Sequence, residues 1–465
     1  MNYVSTRGQA PALGFEDALL AGLADDGGLY VPSEWPSFTH KEIAAFAGLS
    51  YQALALEVMY PFVAQDITRE VFAGHIAKAY GSFRHKAITP LRQLSAELWL
   101  LELFHGPTLA FKDVALQLLA RLMENALAKR NRHATIVGAT SGDTGSAAIE
   151  AFKNCTRADI FILHPKGRVS DVQRRQMTTV KAPNVHNIAL EGTFDDCQLL
   201  VKQLFADAPF REEVSLGAVN SINWTRVMAQ VVYYFAAAVS LGAPSRAVRF
   251  AVPTGNFGDI FAGYVASKMG LPVERLVIGT NVNDILDRTL KTGRYELSDV
   301  IATMSPSIDI QVSSNFERLL FDMQDRDANR VRAQMLQLSQ GGSFTLDDVT
   351  HRRMNEVFSS SRASEQDTKA MIASIHQDTG ILIDPHTAVG LVAAHNAPAP
   401  KSIPLVSLAT AHGAKFPHAV RAATGIEPPL PAFLQDIMTK PEHVTVLKND
   451  LGVVKRHVLE KRRKH

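Results

Sequence analysis

Apolar runs alternate with helical periodicity in two successive series, and this pattern limits the fold more than any other feature of the chain. In the first series, Leu98-Trp99-Leu100-Leu101-Glu102-Leu103, Ala134-Thr135-Ile136-Val137 and Ile160-Phe161-Ile162-Leu163 read as strands. Between them, Asp113 to Arg130 predicts a helix with Ala115, Leu118, Leu119, Leu122, Met123 and Ala126 on one face, and Gly145 to Phe152 predicts another. Ser170 with Gln173 predicts a capping box opening the next helix. The second series begins at Val248-Arg249-Phe250-Ala251-Val252, passes through Leu276-Val277-Ile278-Gly279 and ends near Pro404-Leu405-Val406-Ser407-Leu408. Strands apolar on both faces need cover on both faces, so the class is α/β with parallel sheets.

Residues before about Pro90 read differently, as a mostly helical unit with one short strand, Leu29 to Pro32, and helices over Tyr51 to Val63 and Ile67 to Tyr80. Phe316 to Gln340 and Arg352 to Gln377 read as charged helical insertions, and Ala397-Pro398-Ala399-Pro400 as a short stiff linker. A chain of 465 residues exceeds one simple core. The expected division is 1–92, 93–240, 241–430 and a C-terminal extension, 431–465.

Composition narrows the function classes. No apolar run approaches the ~18 residues of a membrane span, and Met1 to Leu13 lacks the charge and apolar pattern of a secretory signal. Two cysteines, Cys155 and Cys197, make neither a disulfide framework nor a metal motif, which predicts free thiols in a reducing cytoplasm. Lys455, Arg456, Lys461, Arg462, Arg463 and Lys464 form a basic end without stacking aromatics, so a solvated, frayed terminus is expected rather than nucleic-acid binding.

The chemistry lies in loops at strand ends. Lys112, in Pro107-Thr108-Leu109-Ala110-Phe111-Lys112-Asp113, is either an ammonium reaching out to water or a desolvated amine able to form a Schiff base with an aldehyde cofactor. Thr254-Gly255-Asn256-Phe257-Gly258-Asp259 joins a strand to a helix; such a turn is a tight connection or a cradle of converging N–H groups for phosphate. Thr140-Ser141-Gly142-Asp143-Thr144-Gly145 repeats the arrangement with hydroxyls suited to a carboxylate or phosphate, and Asp143 is out of place there unless it faces a ring hydroxyl or is neutralised. Lys166 and Arg168 are either phosphate-holding cations or surface charges beside a turn. Asn220 to Arg226 and Ser407 to Gly413 gather donors that serve either a pocket or a capped turn. No HExxH, GxSxG, GxGxxG or metal-spaced Cys/His set competes.

Taken in order, these segments resemble threonine synthases of the longer bacterial and fungal kind, which are fold type II pyridoxal-phosphate (PLP) enzymes. The resemblance runs from Tyr3-Val4-Ser5-Thr6-Arg7-Gly8 through the Lys112, Asp143, Pro165-to-Ser170, Asn220-to-Trp224 and Gly255 segments to Thr410-Ala411-His412. It implies two lobes with parallel-sheet cores behind a mostly helical N-terminal domain. Lys112 would carry the Schiff base and shuttle protons, and Gly255, Asn256, Phe257, Gly258 and Asp259 would surround the cofactor phosphate. Thr410 would meet the pyridine nitrogen. Ser141, Asp143, Thr144 and Gly145 would lie along the substrate carboxylate and the ring oxygen. Lys166, Arg168, Asn223 and Arg226 are candidates for the substrate phosphate. The implied reaction is γ-elimination of phosphate from O-phospho-L-homoserine and addition of water at Cβ, giving L-threonine. A dehydratase-like lyase of serine or threonine, or a non-catalytic binder of phosphorylated ligands, are the alternatives. A cytoplasmic monomer or homodimer is expected, with neither nucleic acid nor membrane as partner.

Overall fold

Two open sheets carry the apolar runs, in a computed structural model that describes residues 1–397 and 402–463. The larger sheet has six strands in the order Phe358–Arg362, Val273–Thr280, Val248–Pro253, Leu405–Ala409, Leu98–Glu102 and Leu91–Gln93. All its pairs are parallel except the last. The smaller sheet has five parallel strands in the order Thr445–Lys448, Val185–Glu191, Ala158–Pro165, Ala134–Ala139 and Leu216–Gly217. Every residue of Ala158–Pro165 and of Val248–Pro253 is buried, as strands covered on both faces must be.

The helix Lys112–Lys129 carries the chain from one sheet to the other. The sequence grouped Leu98 to Leu103 with Ala134 to Val137. The structure instead pairs Leu98–Glu102 with Leu405–Ala409 in the larger sheet. The crossover helix is why chain order misleads here, since it separates consecutive strands into different sheets. It is buried beyond its predicted face, with Val114, Leu116, Gln117 and Ala120 also enclosed. The helix Asp143–Phe152 packs on one side of it, and Trp224–Ser240 and Arg69–Tyr80 on others.

The N-terminal unit has two strands rather than one: Tyr3–Ser5 pairs antiparallel with Tyr30–Pro32. Helices follow at Tyr51–Val63 and Arg69–Tyr80. Its apolar side chains join one core that runs on into both sheets, through Phe62, Trp224, Tyr234 and Phe250. The second expected insertion is interrupted: helices Asp348–Val357 and Glu365–Thr379 flank the edge strand Phe358–Arg362.

The C-terminal end is docked rather than frayed through its described part. Thr445–Lys448 extends the smaller sheet, and Val454 and Val458 of the helix Leu451–Lys461 enter its core. Three of the basic side chains have acidic partners: Lys455 pairs with Asp207, Arg462 with Glu213 at 3.0 Å, and Arg463 with Asp159 at 2.6 Å. Pro398 to Pro400 of the expected linker and Lys464 lie outside the described residues.

Candidate active site

The loops singled out in the sequence all leave the carboxyl ends of parallel strands, where ligands of open α/β sheets bind. Ala110 bridges antiparallel to Ala411; Phe111 N–H donates to the Thr410 carbonyl at 2.8 Å and His412 N–H to the Leu109 carbonyl at 3.1 Å. This zipper sets Thr410 beside the approach to Lys112. Leu109 takes a left-handed φ of 62° to make the turn. Thr108 clasps the Asp113 carboxylate through its N–H at 2.8 Å and its hydroxyl at 2.7 Å. Burial nevertheless pushes the Asp113 carboxyl up to about 6.

Lys112 is the first residue of its helix and only 9% exposed, so its ammonium does not reach out to water. Its Nζ lies 3.8 Å from Asp143 Oδ2 and 4.6 Å from the centre of the Phe111 ring. Burial lowers its pKa; Arg226 and Lys415 push the same way, while Asp143 and Asp259 oppose.

Asp143 is 3% exposed and neutralised, as its presence in such a loop requires. Its Oδ1 accepts from Gln173 Nε2 at 2.8 Å and faces Lys415 Nζ at 2.9 Å; its Oδ2 accepts from the Ser307 hydroxyl at 3.2 Å. Burial opposes ionisation, but Lys415 and Lys112 overcome it and hold the carboxyl well below the usual range. Ser170 caps the helix Asp171–Thr178 as predicted, but the capping box does not close. The Gln173 side chain turns to Asp143 and accepts from the Ser170 hydroxyl instead.

Thr140 Oγ1 accepts from the N–H groups of Gly142 and Gly145 at 2.9 and 2.8 Å, fixing the turn before the helix Asp143–Phe152. Gly145 is required there, because a Cβ would lie 2.5 Å from Thr140 Cγ2. Ser141 and Thr144 are half-buried at this helix start.

The second cradle is formed by backbone. Ser313 Oγ donates to the Gly255 carbonyl at 2.6 Å, and Asn315 N–H and Nδ2 donate to the Asn256 carbonyl at 3.0 Å each. In a trans peptide the following N–H points the opposite way, so the Asn256 and Phe257 N–H groups face away from that clamp. Phe257, with φ 62°, buries its ring against Phe316 and Phe358, and Asn256 is exposed. A Cβ on Gly255 would stand 3.0 Å from Ile310 Cδ1 and 3.1 Å from Ile308 Cα, tighter than a side chain there can fit without a shift. The Asp259 carboxylate accepts from the Tyr233 and Tyr234 hydroxyls, and burial pushes it up to about 6.

The four phosphate candidates separate. Arg226 is 3% exposed; Nη1 makes one long bond to the Val219 carbonyl at 3.4 Å, and Nε has no partner among the described residues. Burial pushes its guanidinium down to about 10, and it acts on Lys112. Asn223 caps the helix Trp224–Ser240 and donates to the Leu19 carbonyl at 2.9 Å, which occupies both ends of its amide. Lys166 is exposed and paired with Glu191 at 3.4 Å, and Arg168 is exposed beside Asp196. Solvation and acidic neighbours keep these two outside the buried cluster.

Three residues were missed by sequence reasoning. Lys415 is fully buried in the short turn Gly413–Lys415. His386 is buried, with Nδ1 2.7 Å from Asp384 Oδ2 and Nε2 accepting from Ser307 N–H at 3.0 Å, which puts its proton on Nδ1. Ser307 joins that pair to Asp143. A second lysine in an apolar post-strand segment was the one available signal.

A desolvated lysine and a glycine cradle at the carboxyl ends of parallel strands in two sheets define a fold type II PLP enzyme, and the residues present fit that cofactor. The family model described as pyridoxal-phosphate dependent enzyme matches residues 83–340. The chain belongs to the threonine synthase family. Models described as threonine synthase N terminus and threonine synthase, C-terminal match residues 2–80 and 387–458. The chain is 54% identical over 459 residues to a threonine synthase of Pseudomonas aeruginosa, covering 98% of each. The crystal structure of PLP-bound threonine synthase from Brucella melitensis matches with a TM-score of 0.97 at 57% identity over 100% of both chains. That of threonine synthase from yeast matches at 0.94 and 41%, over 99% of this chain and 98% of the other.

Proposed function

We propose that this enzyme converts O-phospho-L-homoserine and water into L-threonine and inorganic phosphate, phosphate leaving Cγ and water adding at Cβ. The observation that carries this reading is a buried amine, Lys112, beside a buried arginine, Arg226, that lacks a carboxylate partner among the described residues. A dehydratase has no substrate phosphate to match such a cation.

Lys112 would hold PLP covalently, the Gly255-to-Gly258 backbone its phosphate, and the Thr410 hydroxyl its pyridine nitrogen. When bound, PLP supplies an electron sink for the substrate carbons. Lys112 Nζ, in its neutral form, moves protons at Cα, Cβ and Cγ of the substrate. Ser141, Thr144 and the N–H groups at the start of the helix Asp143–Phe152 suit the substrate carboxylate. Arg226 takes the substrate phosphate as a planar fork of donors. Buried free thiols at Cys155 and Cys197 support a reducing, cytoplasmic setting. No helix among the described residues is long and apolar enough to cross a membrane.

Incubation of the PLP-loaded enzyme with O-phospho-L-homoserine tests the reading. Phosphate and threonine are expected in equal amounts. Comparable deamination of threonine itself would transfer the chain to the dehydratases, and binding without turnover would leave a phosphorylated-ligand binder.

A further inference from the structure

Two buried lysines share one carboxylate, and their surroundings differ. Lys415 Nζ has three acceptors around it: Asp143 Oδ1 at 2.9 Å, the Thr108 carbonyl at 2.7 Å and Ser146 Oγ at 3.5 Å. Three acceptors match the three N–H bonds of an ammonium. Among the described residues Lys112 Nζ has only Asp143 Oδ2, at 3.8 Å, beyond hydrogen-bond reach. The carboxylate is therefore committed to Lys415, with Gln173 and Ser307 completing its shell.

We propose that Lys415 is a positioning residue for the Lys112 amine: its buried ammonium neutralises Asp143, so Lys112 is not retained as the counter-ion of that carboxylate and stays free to attack an aldehyde. Without Lys415, Asp143 would have one cation at hand, and the attraction of a buried carboxylate would hold the proton on Lys112. With Lys415 in place, a second ammonium at Lys112 would be a surplus buried charge, near the guanidinium of Arg226, which has no carboxylate partner among the described residues. The charged groups facing Lys112 are Asp143, Asp259, Arg226 and Lys415. Those facing Lys415 are Asp143, Lys112, Asp113 and His412. The bond to the Thr108 carbonyl also ties Lys415 to the loop that delivers Lys112, so one side chain joins Asp143, that loop and the turn Gly413–Lys415.

This inference rests on Lys112 being the reactive amine of the proposed function, and its test separates the two. Full-length protein stripped of PLP is pulse-acetylated across the neutral and alkaline range, and modification of Lys112 is followed by peptide mass spectrometry. Lys415→Gln is expected to raise the midpoint of Lys112 reactivity by about one pH unit or more, a tenfold loss of neutral amine below both midpoints. Asp143→Asn is expected to lower the midpoint, and the double variant to return it towards that of the unaltered protein. Lys415→Arg, which keeps the charge, is expected to stay close to it. An unmoved midpoint in a folded Lys415→Gln protein overturns the proposal, as does a double variant that behaves like Lys415→Gln alone. If Lys415→Gln does not fold, Asp143→Asn decides: a midpoint that stays or rises contradicts the assignment. Borohydride fixation of PLP on another lysine would instead defeat the functional reading itself.

Discussion

Arg226 and Asp259 show how burial sets the chemistry of single residues. Among the described residues Arg226 has no acid to offset its burial, so its fold cost is recovered only when an anion arrives. Arg226→Gln is therefore expected to leave the melting temperature unchanged or raised. It should weaken the phosphorylated substrate by about 10- to 100-fold in KM, the worth of a charged hydrogen bond. A lowered melting temperature with unchanged KM would make Arg226 a structural residue. Asp113 and Asp259 give a pH signature. Each is raised from 3.8 to about 6 by burial. A carboxyl raised in the folded state stabilises the fold in its protonated form; that contribution is full below about pH 4 and is lost as the pH rises through about 6. Asp143, held low, has the opposite slope, but only at more acidic pH. Calorimetry of the cofactor-free protein and of its Asp259→Asn variant should show the variant's melting temperature gaining on that of the unaltered protein between these limits, where buried histidines of lowered pKa add an opposite slope common to both. Parallel curves would place the effect elsewhere.

At the scale of elements, the cradle owes its shape to glycine and to the clamp from Ser313 and Asn315. Gly255→Ala sets a methyl against the backbone at Ile308 and Ser307, neighbours that give little. Overpacking of this kind costs about 1–3 kcal/mol, and absorbance titration should show PLP binding weakened by roughly tenfold or more. Undiminished affinity would mean that the phosphate sits elsewhere. Elements whose own residues carried the signal were legible. Tyr51–Val63 has helical apolar spacing behind the Ser50 cap, and Val248–Pro253 is a strand apolar but for Arg249. Phe358–Arg362 was missed because Phe-Ser-Ser-Ser-Arg offers one apolar residue, enough for a sheet edge but not for a pattern. The glycine loops and Lys112 were legible as local motifs. Lys415, Ser307 and His386 were not, since Lys415 and Ser307 reach Asp143, and His386 reaches Ser307, from distant segments and no local spacing encodes that meeting. The exposure of Lys166 and Arg168 was not legible for the converse reason: charge near a promising turn says nothing about which way the side chain goes.

At the scale of the molecule, the N-terminal unit is bound to the rest by a buried polar seam. Arg318 donates to the Tyr30 carbonyl at 3.1 and 2.9 Å and to that of Ile222, while Glu317 accepts from Thr6 at 2.6 Å and from Arg7. Arg318→Met leaves those carbonyls without a donor, at roughly 1–3 kcal/mol each. Urea unfolding should show that loss within one cooperative transition, because a single core spans the seam. An early separate transition for the N-terminal unit would contradict that continuity. Seam, sheets and zipper together hold the strand-end loops around one amine, and the chemistry assigned to the chain stands or falls with it. Borohydride reduction of the purified, PLP-loaded enzyme followed by peptide mapping is the most direct measurement. The cofactor is expected on Lys112, with the visible absorbance lost on reduction. A label on Lys415 or any other lysine, or a protein that takes up no PLP, would contradict the account.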